Sequence, residues 1–203
     1  MDERSPEFVT ALEAVKMASA LCQRVGKDLA RRGSILKSDR SPVTIADFGS
    51  QAVICKMIHE KFPNDIMMAE EDSKELKKLD RLKILEQVTH YVNDPFPHSS
   101  SEEICSWIDF SSHFVADRFW TLDPIDGTKG FLRGDQYAIA LALIEKGVVQ
   151  MGVLSCPNLP NDSDQPDGKK GCVFFALRGK GSVQTNINGG DRKNLSVSKT
   201  KDP

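Results

Sequence analysis

The chain has 203 residues, 39% of them hydrophobic and 28% charged, and its 27 basic and 29 acidic side chains leave a net charge of −2. That length suits one domain, or one and part of a second, with a core that needs no disulfide staples. The near balance of charge excludes a general nucleic-acid binder, and no apolar run reaches the ~18 residues of a membrane span.

The opening residues, MDERSPEF, have neither the apolar centre of a signal peptide nor the acid-poor look of a transit peptide. Five widely spaced cysteines, Cys22, Cys55, Cys105, Cys156 and Cys172, include no CxxC pair. They read as reduced, mostly buried thiols of a cytoplasmic protein.

Ser5-Pro6 opens a helix, because serine caps free amides and proline suits the first helical position. Apolar residues at Phe8, Leu12, Val15, Ala18, Cys22, Val25 and Leu29 then form one helical stripe, which Gly33 and Ser34 end. Ser41-Pro42 is expected to start a short extended piece, Val43 to Ile45, with a second helix from Ala46 to Phe62. Pro63-Asn64-Asp65 is a turn, and Ile66 to Ala69 a short buried strand running into Glu70-Glu71-Asp72. Residues 73–92, rich in lysine and leucine with interleaved acids, read as a surface helix, and 93–101 as loop. A strand from Phe119 to Leu122 ends at Asp123. Tyr137 to Ile144 and Val148 to Leu154 form a hairpin around Glu145-Lys146-Gly147. A polar loop, Asn158 to Lys170, leads to a strand from Cys172 to Leu177, which turns at Arg178-Gly179-Lys180-Gly181. The end, from Asp191, is polar. Helices first and antiparallel strands after give an α+β class. The four histidines, His59, His90, His98 and His113, are scattered and lie near no acid motif.

The chemistry is concentrated in WTLDPIDGTKGF, Trp120 to Phe131. Asp123 and Asp126 sit at the end of the predicted strand, Pro124 stiffens the turn between them, and Gly127 permits a sharp bend. Thr128 can turn its hydroxyl and amide toward the same point. Hard cations such as Mg²⁺ take oxygen ligands, commonly one or two carboxylates with waters and substrate phosphate. A rigid turn with two acids and free amides therefore suits a metal-bound phosphate. The plain structural alternative is an aspartate-rich turn that caps a helix. A covalent aspartyl-phosphate of the DxDGT type is disfavoured, because the acids here are three apart with Pro-Ile between them. Two upstream acids join the pattern: Asp47 in SPVTIADF and Glu70 in AEED.

Taken together, KSDRSPVTIADFGSQ (Lys37 to Gln51), AEED (from Ala69), WTLDPIDGTKGFLRGDQY (Trp120 to Tyr137) and GVLSCPNLP (Gly152 to Pro160) carry a resemblance. The chain resembles the lithium-sensitive, magnesium-dependent phosphomonoesterases of the inositol monophosphatase and fructose-1,6-bisphosphatase superfamily. Within it, the match is to the bisphosphate nucleotidase branch, the plant forms above all. The resemblance implies the N-terminal domain of a layered α/β sandwich. It implies that Glu70, Asp123 and the main-chain carbonyl of Ile125 bind a first Mg²⁺, with Asp123 bridging to a second that Asp126 also binds. Asp47 and Thr128 would activate the attacking water, and the Gly127 and Thr128 amides would hold the phosphate. The implied reaction removes the 3′-phosphate of adenosine 3′,5′-bisphosphate to give AMP, with 3′-phosphoadenylyl sulfate as a further substrate. The implied partner is thus a small nucleotide bisphosphate, not nucleic acid or a membrane. Two alternatives stay open: inositol polyphosphate 1-phosphatase activity, and a catalytically inactive, truncated paralogue. The superfamily's later W-D-x-x-A-G segment has no counterpart here, since neither Trp107 nor Trp120 precedes an aspartate. The expected division is a metal and phosphate domain over 1–185 and a polar tail, 186–203, that begins a missing α/β domain. Weak Mg²⁺ binding, impaired turnover and self-association through bared surface are the corresponding expectations.

Overall fold

The structure, a computed structural model, describes residues 2–31, 41–78, 81–110, 116–162, 164–165 and 167–197. Helix α1 spans Pro6–Arg31 and α2 spans Ser41–Lys61. The expected helix stop at Gly33-Ser34 and the neighbouring Lys37 lie outside the described residues. Helix α2 begins five residues before the expected Ala46, so the expected extended piece, Val43 to Ile45, lies within the helix. Ser41-Pro42 has the same composition as the start of α1, and a proline in the first turn loses no intrahelical hydrogen bond.

Strand β1 (Ile66–Ala69) follows as expected. Residues 73–92 do not form one helix: a 3₁₀ turn occupies Ser73–Glu75 and α3 spans Leu82–Val92. Nor is α3 wholly on the surface, since Val88, Tyr91 and Val92 are buried. Helix α4 (Ser101–Ile108) buries Ile104, Cys105 and Ile108 on one face, and a capping box marks its start. The Ser100 hydroxyl accepts from the Glu103 amide, and the Glu103 carboxylate accepts from the Ser100 amide.

Strand β2 runs from Arg118 to Asp126, so it carries the whole DPID segment instead of ending before it. Its pairing register shifts between Asp123 and Asp126. Pro124 lacks a backbone donor, and the interrupted ladder there is a local irregularity of the strand, not a free turn. A short helix α5 (Thr128–Arg133) comes next, then β3 (Ala138–Glu145), β4 (Val148–Pro160), β5 (Lys170–Leu177), β6 (Gly181–Asn186) and β7 (Lys193–Leu195). Strand β4 thus shortens the expected polar loop, and β7 lies within the expected polar tail.

The seven strands form one sheet in the order β1 to β7. Only β1 and β2 are parallel, and the crossover between them carries α3 and α4; every other neighbour is antiparallel. The α+β expectation is met. Ile139, Leu141 and Leu143 of β3, Met151 and Val153 of β4, and Val173 and Phe175 of β5 are buried on one face. Helix α1 covers β3 and β4 there, α2 covers β2, and α3 and α4 pack on α2. Phe8 of α1 meets Phe175 of β5 with ring centroids 4.8 Å apart. All five cysteines are buried and free, in line with the sequence reading.

At the end of the sheet away from the DPID segment, one arginine ties four segments together. The Arg118 guanidinium donates to Asp65 at 2.9 Å, to Glu145 at 2.5 Å and to Glu7 at 3.3 Å. The Trp120 indole donates to the same Asp65 carboxylate at 2.9 Å. This hub joins the start of α1, the turn before β1, and strands β2 and β3.

Candidate functional site

The parallel pair β1–β2 sets the site. Ala69 pairs with Leu122, so Glu70 and Asp123 are the next residues along two neighbouring strands, at the same edge of the sheet. Ligands of sheets containing parallel strands gather at such carboxyl ends. Asp126 closes β2 and is exposed, and Gly127 follows with φ +93° and ψ 42°. Only glycine adopts that left-handed geometry without penalty. Thr128 is then the first, exposed residue of α5. The other predicted acid, Asp47, is half-buried in the second turn of α2, the helix that packs on β2. It does not cap the helix start.

One turn of α2 holds these segments. Asp47, Ser50 and Gln51 stand at i, i+3 and i+4 and so share a face. The buried Ser50 hydroxyl donates to the Pro124 carbonyl at 3.2 Å. The buried Gln51 amide brackets one residue of the AEED segment: its Nε2 donates to the Glu71 carbonyl at 2.7 Å, and its Oε1 accepts from the Glu71 amide at 2.9 Å. Gln51 Nε2 also donates to the Ile108 carbonyl at 3.2 Å. From the end of α4, Asp109 accepts from the Ser73 amide at 3.0 Å and the Ser73 hydroxyl at 2.6 Å. None of Ser50, Gln51, Ser73 or Asp109 stands out in the sequence. The available signal for Gln51 is its place four residues after Asp47.

The electrostatics are those of crowded like charges. Burial, then the charges of Glu71, Glu70 and Asp123, push the Asp47 carboxyl up to about 8. Burial, then Glu70 and Glu75, push Glu71 up to about 7. Asp123 is raised by burial, Glu70 and Asp126, against the lowering effect of a hydrogen bond from the Ile125 amide. Glu71, which the sequence reading names in AEED but does not assign to the site, therefore belongs to the same field.

The structure thus brings Asp47, Glu70 and Asp123 within one another's electrostatic reach, and Asp126 within reach of Asp123. Among the described residues, however, no three His, Cys, Asp or Glu side chains gather closely enough to hold a metal ion as they stand. The donor chemistry nevertheless fits a hard divalent cation: every predicted donor is an oxygen, and the raised proton affinities mark a site short of positive charge. Asp123 also borders a shallow depression of about 260 Å³ with Thr121, Ala140, Ala142 and Gly152. A cavity of about 420 Å³ between α1 and α5, lined by Cys22, Lys27, Phe131, Arg133 and Tyr137, contains none of these acids.

Comparison with known proteins gives a consistent picture. The inositol monophosphatase family model matches residues 3–202. A 3′(2′),5′-bisphosphate nucleotidase of Oryza sativa is 42% identical over 216 residues, covering 97% of this chain and 60% of that protein. The 3′(2′),5′-bisphosphate nucleotidase 1 of Arabidopsis thaliana is 42% identical over 195 residues, covering 87% and 55%. Among solved structures, the extragenic suppressor protein suhB from Bartonella henselae superposes with a TM-score of 0.57 at 17% identity, over 97% of this chain and 56% of that one. That last likeness is one of fold. The chain spans between half and two thirds of the length of these relatives.

Proposed function

This chain belongs to the inositol monophosphatase family, and we propose that its acid cluster is the metal and phosphate site of a Mg²⁺-dependent phosphomonoesterase. The substrate we assign is adenosine 3′,5′-bisphosphate, with loss of the 3′-phosphate to give AMP, and 3′-phosphoadenylyl sulfate is a further substrate. The observation that carries this reading is the placement of Glu70 and Asp123 at adjacent ends of two parallel strands, opposite Asp47 on α2. The nucleotidase names of relatives at 42% identity support the choice of substrate.

In this reading Glu70, Asp123, the Ile125 carbonyl and Asp126 would hold the cation. A bound divalent ion neutralises phosphoryl charge and makes water a better nucleophile near neutral pH. Asp47 would accept the proton of the attacking water in its ionised form, which the positive charge of an occupied site favours against burial and the acidic neighbours, while the Thr128 hydroxyl orients that water. The Gly127 and Thr128 amides hold the phosphate. No protein nucleophile takes part, and positioning supplies much of the barrier reduction.

Calorimetric titration of the 203-residue chain with adenosine 3′,5′-bisphosphate, with Mg²⁺ and then with EDTA, tests the reading. We expect nucleotide binding that requires Mg²⁺ and that Asp123→Asn abolishes. Binding that ignores EDTA, or that Asp123→Asn leaves intact, would show the assignment to be wrong.

A further inference from the structure

We infer that Gln51 is a positioning residue for the acid cluster: it sets Glu70 and Glu71 at the distance from Asp47 and the DPID segment that cation binding needs. The inference rests on the phosphatase reading above.

Gln51 is fully buried, and a buried side-chain amide is costly unless its polar atoms are partnered. Here both its atoms are used, and on two separate segments. The paired bonds to the amide and carbonyl of Glu71 imitate the two bonds that a neighbouring strand would offer. They hold the chain just past Ala69, the last residue of β1 that pairs with β2. The third bond, to the Ile108 carbonyl, ties the same amide to the end of α4. There the next residue, Asp109, grips Ser73 through two more bonds. The AEED segment is therefore fixed from α2 at Glu71 and from α4 at Ser73.

The neighbouring residue of α2 completes the arrangement. Ser50 binds the Pro124 carbonyl, so consecutive positions on the Asp47 helix hold the two acid-bearing strand ends. Helix α2 thus acts as a ruler whose marks are Asp47, Ser50 and Gln51. A leucine or methionine would fill the same space, but it could not bracket a residue's amide and carbonyl. Two of the three bonds of Gln51 end on the backbone of Glu71, within the acid cluster, and this is the reason to assign it positioning and not only packing.

The test separates positioning from stability. Gln51→Met removes all three bonds, and Gln51→Asn keeps the amide but draws it back by one carbon, so that it misses Glu71. Asp65→Ala serves as the comparator, because Asp65 stabilises the fold at the opposite end of the sheet. Free Mn²⁺ is measured by electron paramagnetic resonance in titrations of each metal-free protein, and folding by circular dichroism under the same conditions. Groups that orient metal ligands typically contribute about 10–100-fold in metal affinity. We expect Asp65→Ala to bind Mn²⁺ as the parent does, and a folded Gln51 variant to bind it about tenfold more weakly or worse. If Gln51→Met fails to fold, Gln51→Asn decides. A folded Gln51 variant with parental Mn²⁺ affinity overturns the positioning role and leaves the phosphatase reading standing. A parent chain that binds no Mn²⁺ overturns both.

Discussion

Gly130 makes the sharpest single test of how the DPIDGT segment is packed. A Cβ added there would lie 2.0 Å from the Gln136 carbonyl oxygen and 3.1 Å from its carbon. Even a close C···O contact needs about 3.3 Å, so that carbonyl would have to retreat by more than 1 Å. It has little room to do so. The Asp135 amide is bonded to the Gly130 carbonyl at 2.8 Å, and the next residue, Tyr137, is buried with its ring 5.0 Å from that of Phe131. Overpacking of this kind costs about 1–3 kcal/mol, and backbone against backbone belongs at the upper end. Replacing a helical glycine by alanine returns up to about 1 kcal/mol. Gly130→Ala should therefore lose about 2 kcal/mol net. In a domain of this size that corresponds to a fall of about 4–8 °C in Tm. Gly134→Ala is the control. It meets nothing within 4 Å, but its φ of +73° makes a side chain unfavourable by about 1–2 kcal/mol, partly offset by lower unfolded-state entropy. Its Tm should fall by no more than about 4 °C. Thermal unfolding in EDTA measures both. The reasoning is refuted if Gly130→Ala melts with the parent, or if Gly134→Ala melts below Gly130→Ala.

The crowded acids make the metal-free chain pH-sensitive. Asp47 holds its proton to about pH 8 when folded, against an ordinary value near 3.8, so its contribution is fully present below about pH 4 and is lost as pH rises through 8. Tm in EDTA should accordingly be lower at pH 8 than at pH 5, and Asp47→Asn should narrow that gap by raising Tm at pH 8; equal gaps in the two proteins would contradict this. Adding Mg²⁺ at a hundred times its Kd should stabilise the chain by about 2.7 kcal/mol, as a rise in Tm that EDTA reverses. At the other end of the sheet, Asp65→Ala leaves the buried Trp120 indole without its acceptor and Arg118 with two of its three carboxylate partners, and should cost about 1–3 kcal/mol in urea unfolding; a loss below about 0.5 kcal/mol would mean that the hub does not matter.

Much of the fold is legible in the amino-acid order. The alternation of Ile139, Leu141 and Leu143 marks β3 because every second side chain meets α1, and the stripe from Phe8 to Val25 marks α1 because it meets the sheet. Glycine and proline at the bends do the rest. Where the reading departs from the structure, local signals compete. Ser41-Pro42 suits an extended segment or a helix start, and the chain adopts the helix. Residues 73–92 carry helix-forming composition, but Asp72 and Asp109 draw Ser73 into a separate 3₁₀ turn. The acids Asp47, Glu70, Asp123 and Asp126 are visible as types and spacings, because hard oxygen donors are a property of the residues themselves.

Which groups share a field is a different matter. Glu71 is not singled out in the sequence, and only the fold half-buries it beside Glu70; Gln51 is one more polar residue on a helix until the fold buries it. The bonds that make Gln51 matter reach residues 20 and 57 positions away, and their other ends are backbone atoms that every residue possesses. Order along the chain therefore decides which side chains could bind a cation. Only the packing of α2 and α4 about the ends of β1 and β2 decides which of them meet, because that depends on distances through space that no local period records.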